Sequence, residues 1–304
     1  MNKVQTLNVN GITLEYIVKG DEIYILNTKN KRYILADYET LNFLKSYNYS
    51  EKNYEIDDYL YNKKINILDM KILNLKIKSS FIKKILNLLS IFFNKYTFIL
   101  SLISIIFIPR ILLEFKKFQT QDLNINNLIL IFLIQFFIII IHELGHLQEY
   151  SKIFKREYIF FGIQLRYFCL LMFYTDVSFF SILNKSEKIK IILAGIRNQM
   201  VLNFFLIILY YIYQKNIILL SITINSIIII TNCLPFMKLD GFWFINTLLN
   251  TENYMDDFIM CIKKKYKIKP IIVFLGILNI AIIICAFLGM FFTALSMFTL
   301  KINF

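Results

Sequence analysis

The stretch that decides the fold is LILIFLIQFFIIIIHELGH, residues 128–146. Residues 128–141 carry no charged side chain, which is typical of a helix that crosses a lipid bilayer. The next five residues, HELGH, bring three ionisable side chains directly behind this apolar run. Ionisable groups at membrane depth are costly and usually functional. The stretch therefore predicts a membrane helix that carries a functional group near its end.

The composition of the whole chain agrees with a membrane protein. The 304 residues are 57% hydrophobic, with a mean hydropathy of +0.57, whereas soluble chains average about 45–50% apolar residues. The formal net charge is +13, but most Lys and Arg residues flank apolar runs, where they can interact with anionic lipid headgroups. We therefore expect membrane lipid as a partner and no nucleic acid.

The apolar runs predict a polytopic α-helical membrane protein. Five spans are expected within a membrane domain over residues 81–304, and six if the last is broken at Gly276 or Gly289. An N-terminal domain over residues 1–80 precedes them. The predicted spans are 92–112, 123–147, 189–212, 216–237 and 270–298.

The basic residues predict the orientation. Segment 151–190 carries seven Lys or Arg residues and segment 250–270 carries five. Because basic loops remain on the cytoplasmic side, we expect a multi-pass protein of the cell membrane. Its N-terminus and the end of the HELGH helix would both face the cytoplasm.

Residues 1–80 are polar and predict a small α+β domain. Apolar residues alternate over 12–18 and 22–26, and the Gly-Asp pair at 20–21 favours a hairpin between them. Asp37 is a candidate N-cap for a short helix that runs through Lys45.

The HELGH pentad has the spacing of a zinc site. On a helix, His142 and His146 lie one turn apart on the same face, so both imidazoles can reach one ion. Glu143 between them can take a proton from a water whose pKa the metal lowers. These are the only two histidines in the chain, which favours a metal site over an accidental motif.

A zinc site of this kind needs a third protein ligand. Glu149 lies on the same face as His142 but about 10.5 Å further along the axis, so we interpret it as a solvated helix-end charge. Asp240 is the better candidate. It follows Pro235, which should break the preceding helix, and it precedes Gly241, which permits a turn. Irregular backbone at such depth is tolerated where it lines a polar cavity.

Two motifs together resemble a known family. HExxH in one membrane helix, followed later by NxxPxxxxDG, is similar to the site-2 protease family of intramembrane zinc metalloproteases. The second motif matches at Asn232, Pro235, Asp240 and Gly241, and the resemblance covers roughly residues 90–245.

The resemblance implies a zinc cofactor, Asp240 as third ligand and Glu143 as catalytic base. It also implies that Asn232 holds substrate or the developing oxyanion. Asn198 is a further candidate for this role, because LAGIRN at 193–198 is similar to the family's AGPxxN stretch with Ile196 in place of proline.

The segment 158–180 is apolar and aromatic but interrupted by polar residues, so it predicts an apolar hairpin or re-entrant strand pair beside the site. Its edge could hold an extended substrate peptide. Residues 174–178 resemble a stretch in the peptide-maturation subset of the family, and Asp176 is either a turn residue or a functional one. Cys169, Cys233 and Cys285 are interpreted as small core residues.

The substrate is predicted from the N-terminal domain, which resembles winged or PqqD-like domains that bind leader peptides. This favours maturation of a small peptide such as a bacteriocin or pheromone, with a peptide exporter as a candidate partner. The first alternative is regulated intramembrane proteolysis of a signalling membrane protein. An alternative from another class is a non-catalytic immunity or transport component that retains the protease fold.

Overall fold

The structure is a computed structural model, which describes residues 2–30, 32–47, 54–61, 69–115, 124–166, 170–236, 238–263 and 269–302. These residues form a mainly helical protein with a β-rich N-terminal part.

The N-terminal part is a four-stranded antiparallel sheet covered by two helices. The hairpin and the helix cap predicted from the sequence are both confirmed: Gly20 turns with φ 65°, and Asp37 Oδ1 accepts a hydrogen bond from Thr40 N at 2.8 Å. The elements are β1 (Asn2–Lys3), β2 (Gln5–Val9), β3 (Ile12–Lys19), β4 (Glu22–Asn27), β5 (Tyr33–Ala36), α1 (Tyr38–Ser46) and α2 (Tyr54–Tyr61), with sheet order β2-β3-β4-β5.

Strands from the first 80 residues also pair with the chain that follows the HELGH helix. β1 pairs in parallel with β7 (Phe154–Lys155). A long strand that the sequence did not indicate, β6 (Asp69–Lys78), pairs with β8 (Tyr158–Arg166), which pairs with β9 (Leu170–Thr175). The hairpin predicted over 158–180 is therefore confirmed as β8 and β9. The N-terminal part is joined to the helical part by backbone hydrogen bonds.

Four helices of the described residues are long and apolar enough to cross a membrane. The predicted span 189–212 lies within a longer helix, and 123–147 overlaps a helix that begins at Ile125 and runs on to Ile153. The helix predicted over 216–237 ends early at Cys233, before Pro235. The helices are α6 (Ile125–Ile153), α7 (Lys185–Tyr213), α8 (Asn216–Cys233) and α11 (Pro270–Ile302), of which Pro270–Gly289 is the candidate membrane span.

The predicted span over 92–112 is not formed by one continuous helix. The chain there forms α3 (Ser79–Phe92), α4 (Lys95–Ser101) and α5 (Ser104–Phe115). Asn94 interrupts the helix because its side chain accepts from Thr97 N at 3.1 Å and starts a new one. Residues 79–92 and 95–107 meet at 51°, and counting them as one bent span raises the total to five.

The last predicted span is unbroken, since α11 continues through Gly276 and Gly289. The six-span alternative therefore has no support from the described helices. Two short helices, α9 (Asp240–Leu249) and α10 (Tyr254–Ile262), lie between α8 and α11.

The interpretation of the cysteines as core residues is wrong for Cys233 and Cys285, which are exposed. On helices of this hydropathy, exposed apolar side chains are compatible with contact to lipid. Cys261 is buried, and Cys169 lies outside the described residues.

Candidate metal centre

Three side chains from two separate parts of the chain meet beside α6. His142 Nε2 lies 3.1 Å from His146 Nε2, 3.2 Å from Asp240 Oδ2, and His146 Nε2 lies 3.5 Å from Asp240 Oδ1. Both histidines are buried. The structure thus brings together the three ligands predicted from the sequence, although Asp240 is 94 residues beyond His146 in the chain (240 − 146).

Hydrogen bonds fix both imidazoles with Nε2 facing the centre. His146 Nδ1 lies 2.8 Å from the carbonyl oxygen of Ile191, which can only accept, so Nδ1 carries the hydrogen. His142 Nδ1 lies 3.0 Å from Gln199 Oε1, which also accepts from Asn232 Nδ2 at 3.3 Å. Both Nε2 atoms are therefore bare lone-pair donors, and such partners orient metal-binding histidines.

The arrangement fits a zinc ion. Two ligand atoms of a tetrahedral site with ligand distances of about 2.0–2.2 Å lie about 3.3–3.5 Å apart, close to the separations of 3.1, 3.2 and 3.5 Å seen here. Without a cation, two bare nitrogens and a carboxylate would face one another in a buried site. Asp240 Oδ2 is also buried without a hydrogen-bond partner among the described residues. The three residues form a group that could hold a metal ion.

Gly195 on α7 leaves the space that the two rings occupy. A Cβ at this position would lie 2.6 Å from His146 Nε2 and 2.6 Å from His142 Cε1. Gly145 on α6 likewise leaves space for α7, because a Cβ at this position would lie 2.7 Å from Ala194 O. The two glycines let α6 and α7 approach closely at the level of the metal group.

Glu143 is placed for proton transfer. It is buried and lines the same cavity as the two histidines and Asp240. Its Oε2 accepts a hydrogen bond from Thr175 Oγ1 at 3.1 Å. The end of β9 therefore orients the carboxylate of Glu143, a role for Thr175 that sequence reasoning missed.

The loop that carries Asp240 is held from three sides. Tyr254 donates to the carbonyl of Pro235 at 2.6 Å, and Arg166 of β8 donates to the carbonyl of Lys238 at 2.5 Å. A Cβ at Gly241 would overlap the carbonyl oxygens of Cys233 and Leu234.

Two predicted substrate residues differ in position. Asn232 lines the cavity and is linked to His142 through Gln199. Asn198 does not line it. Its Nδ2 donates to the carbonyl of Ile141 at 3.3 Å, so its side chain connects α7 to the backbone of α6.

The interpretation of Glu149 as a solvated charge is wrong. Its side chain is 11% exposed and pairs with Arg197 of α7 at 3.1 Å and with Lys152 at 2.9 Å. This ion pair also accounts for Arg197, a cation inside a membrane-length helix.

The metal group opens into a cavity of about 380 Å³ whose wall includes β9. β9 is the last strand of the order β6-β8-β9, so one of its edges is unpaired among the described strands. Asp176 follows β9 and also lines the cavity. Its backbone N donates to Phe160 O at 3.0 Å, and its Oδ1 accepts from Ser178 Oγ at 2.9 Å, which agrees with a turn role.

The N-terminal sheet contacts the segment that follows β9. Glu15 of β3 forms a buried ion pair with Arg156, whose guanidinium also donates to the carbonyl of Asp176 at 3.3 Å. Phe179 N donates to the hydroxyl of Tyr33 at 2.8 Å. These contacts fix the chain immediately beyond Thr175.

The comparison with known proteins gives one distant relative. "Putative peptide zinc metalloprotease protein YydH" of Bacillus subtilis (strain 168) is 24% identical over 117 residues, which are 38% of this chain and 46% of that protein. The match therefore spans about half of the relative's length. No protein-family model matches the chain, and no solved structure matches it.

Fold and site together define a helical protein with membrane-length helices and a buried His-His-Asp group. Its distant relative is named as a peptide zinc metalloprotease. Sequence reasoning missed the roles of Gln199, Thr175 and the carbonyl of Ile191, because each role depends on a contact with α6 that the sequence does not indicate.

Proposed function

We propose that this chain is an intramembrane zinc metalloprotease that hydrolyses a peptide bond in a small membrane-associated peptide or precursor. The observation that carries the proposal is the convergence of His142, His146 and Asp240, with Glu143 in the same cavity. The name of the distant relative supports the same class of activity.

The residues have separate roles in this mechanism. His142, His146 and Asp240 would hold the zinc ion. When bound, zinc lowers the pKa of a water molecule and polarises the scissile carbonyl. Glu143 accepts a proton from the attacking water and then donates it to the leaving amine, so that the amide C–N bond breaks with a neutral leaving group.

Two side chains prepare the site for these steps. Thr175 donates to Glu143 Oε2 and leaves its other carboxylate oxygen available for the proton. Asn232 is the candidate donor to the oxyanion that develops on the substrate carbonyl. Its amide lies in the cavity wall, hydrogen-bonded to Gln199.

The substrate is proposed to bind as an extended chain along β9. An unpaired strand edge offers backbone hydrogen bonds to a peptide, and residues of β9 line the cavity that contains Glu143. A peptide substrate agrees with the name of the relative, which contains the words peptide zinc metalloprotease. Regulated proteolysis of a signalling membrane protein is the second candidate, because the same edge would accept an unwound segment of a membrane helix.

The alternative of a non-catalytic immunity or transport component is disfavoured by the site. All four polar residues of the mechanism are present and oriented, and the tautomers of both histidines expose Nε2. Zinc, membrane lipid, a peptide substrate and a peptide exporter remain the proposed cofactor and partners. A cell-membrane location with the N-terminus and the site on the cytoplasmic side also belongs to the proposal.

Metal analysis of the purified chain tests this function. We expect about one zinc per chain, lost in His146→Ala. Iron in its place, or no metal in the wild-type chain, would contradict the proposal. Peptides that co-purify with Glu143→Gln would then separate the two candidate substrate classes.

A further inference from the structure

A second cavity lies directly beside the metal cavity. Phe180 and Trp243 line both of them. The second cavity has a volume of about 1100 Å³, whereas sites for small molecules typically have about 300–1,000 Å³. Its volume is therefore large enough for a segment of polypeptide.

The wall of the metal cavity continues into the second cavity along the chain. β9 ends at Thr175 beside Glu143. The chain then passes Val177, reaches Phe180 at the boundary between the cavities, and continues to Ser181 in the second one. A peptide that pairs with the edge of β9 and runs past Thr175 would follow this wall into the second cavity.

The second cavity is more polar than the metal cavity, and one of its buried donors has no partner among the described residues. Asn246 is 2% exposed and lines the cavity. Its Oδ1 is fixed by Tyr254 N at 2.7 Å and Thr251 Oγ1 at 3.1 Å. Its Nδ2 has no hydrogen-bond partner in the part of the chain that the structure describes. A buried donor without an acceptor is costly, and a peptide carbonyl would satisfy it.

The charged side chains of this cavity have both signs, which suits a polar peptide segment and disfavours an apolar one. They are Lys185, Lys188, Glu252, Asp256 and Asp257. The metal cavity differs, because Met172, Phe173 and Val177 are part of its wall. A chain that passes from the metal cavity into the second cavity would thus meet a more polar surface, with charges of both signs.

We propose that the second cavity binds the polar flank of the peptide that is cleaved, on the side of the scissile bond that leaves β9 beyond Thr175. Asn246 Nδ2 donates to a backbone carbonyl of this flank. The inference rests on the proposed function, since it concerns the substrate of the same site. It assigns substrate recognition to Asn246 of α9 and to residues of α10, which lie outside the metal cavity.

Photo-cross-linking tests this assignment. The probe is benzoylphenylalanine, placed in Glu143→Gln at Met172 in the metal cavity or at Ser181 in the second cavity, in the cell that makes the chain. We expect the same peptide to be captured at both positions. Mass spectrometry should place the Ser181 cross-link in a polar segment of the captured peptide. This segment should always lie on the same side, along the peptide sequence, of the residue that is cross-linked at Met172.

A control and a second variant complete the test. Benzoylphenylalanine at the exposed Ser46 should capture no such peptide. Asn246→Asp keeps Oδ1 but removes the donor, so the Ser181 yield should fall about fivefold, as expected for one lost hydrogen bond, with the Met172 yield unchanged. Capture at Met172 without capture at Ser181, or an unchanged Ser181 yield in Asn246→Asp, would overturn the inference alone. A captured peptide that the wild-type chain does not cleave would overturn the proposed function, and the inference with it.

Discussion

The Nδ1 atom of His146 lies 2.8 Å from the carbonyl oxygen of Ile191, one turn of α7 before Gly195. This single contact determines which nitrogen of His146 carries the hydrogen and leaves Nε2 bare toward His142. The metal group is therefore a product of helix packing as well as of the HELGH pentad. α7 supplies the acceptor, the space at Gly195 and the side chain of Gln199.

Gln199 should control metal affinity without binding the metal. Gln199→Leu removes the acceptor of His142 Nδ1, and we expect zinc affinity to fall about 10–100-fold, the usual effect of losing such a partner. Competition with a chromophoric chelator measures the change. Gln199→Glu keeps an acceptor oxygen and should lose less. Equal affinities for wild type and Gln199→Leu would show that Gln199 does not orient His142.

Gly195→Ala should remove the metal while the helices remain. The new Cβ would lie 2.6 Å from His146 Nε2, so the ring must leave its position. Zinc content measured on the purified variant should fall to a small fraction of the wild-type value, with the helical circular dichroism retained. Gly289→Ala is the matched control, because no atom lies within 4 Å of a Cβ there. Full zinc content in Gly195→Ala would be incompatible with the metal site.

The buried ion pair between Glu15 and Arg156 should matter for both stability and cleavage. Its side chains are 7% and 3% exposed, and Glu15→Gln leaves a buried cation without its partner, a change that costs about 3–5 kcal/mol. We expect a lower unfolding midpoint in detergent. The turnover number should also fall, because Arg156 contacts Asp176, next to Thr175.

The exposed pair Arg32–Asp58 provides the comparison for that variant. Its side chains are 43% and 50% exposed, so Arg32→Gln should cost at most about 1 kcal/mol. Comparable losses of stability in the two variants would contradict a supporting role for the Glu15–Arg156 pair. A Glu15→Gln variant with lower stability but a wild-type turnover number would also contradict this role, provided that the variant and the wild-type chain are both folded in the assay.

Short sequence patterns predicted the structural features that depend on only a few neighbouring residues. Gly20 and Asp37 specify a turn and a cap within a few residues of chain, and Pro235 ends α8 two residues before it. The strand β6 was not predicted, because its partner β8 lies some 90 residues away and supplies the pairing. The helix break at Asn94 was not predicted, because most residues on both sides of it are apolar and read as one continuous span.

The residues of the candidate metal centre likewise fall into those that local sequence predicts and those that depend on long-range packing. His142, Glu143 and His146 follow from helical spacing, and Asp240 was predicted from the helix break before it. The contacts of Gln199, Thr175 and Ile191 depend on how α6, α7 and β9 pack. Glu149 was misread because its partner Arg197 is on another helix.

Reconstitution with candidate substrates tests the central claim most directly. The purified wild-type chain and Glu143→Gln are placed in liposomes with peptides encoded by neighbouring genes, and products are followed by mass spectrometry. The account predicts cleavage at one peptide bond by the wild-type chain and none by Glu143→Gln, with zinc content equal in both. Cleavage that persists in Glu143→Gln would contradict it.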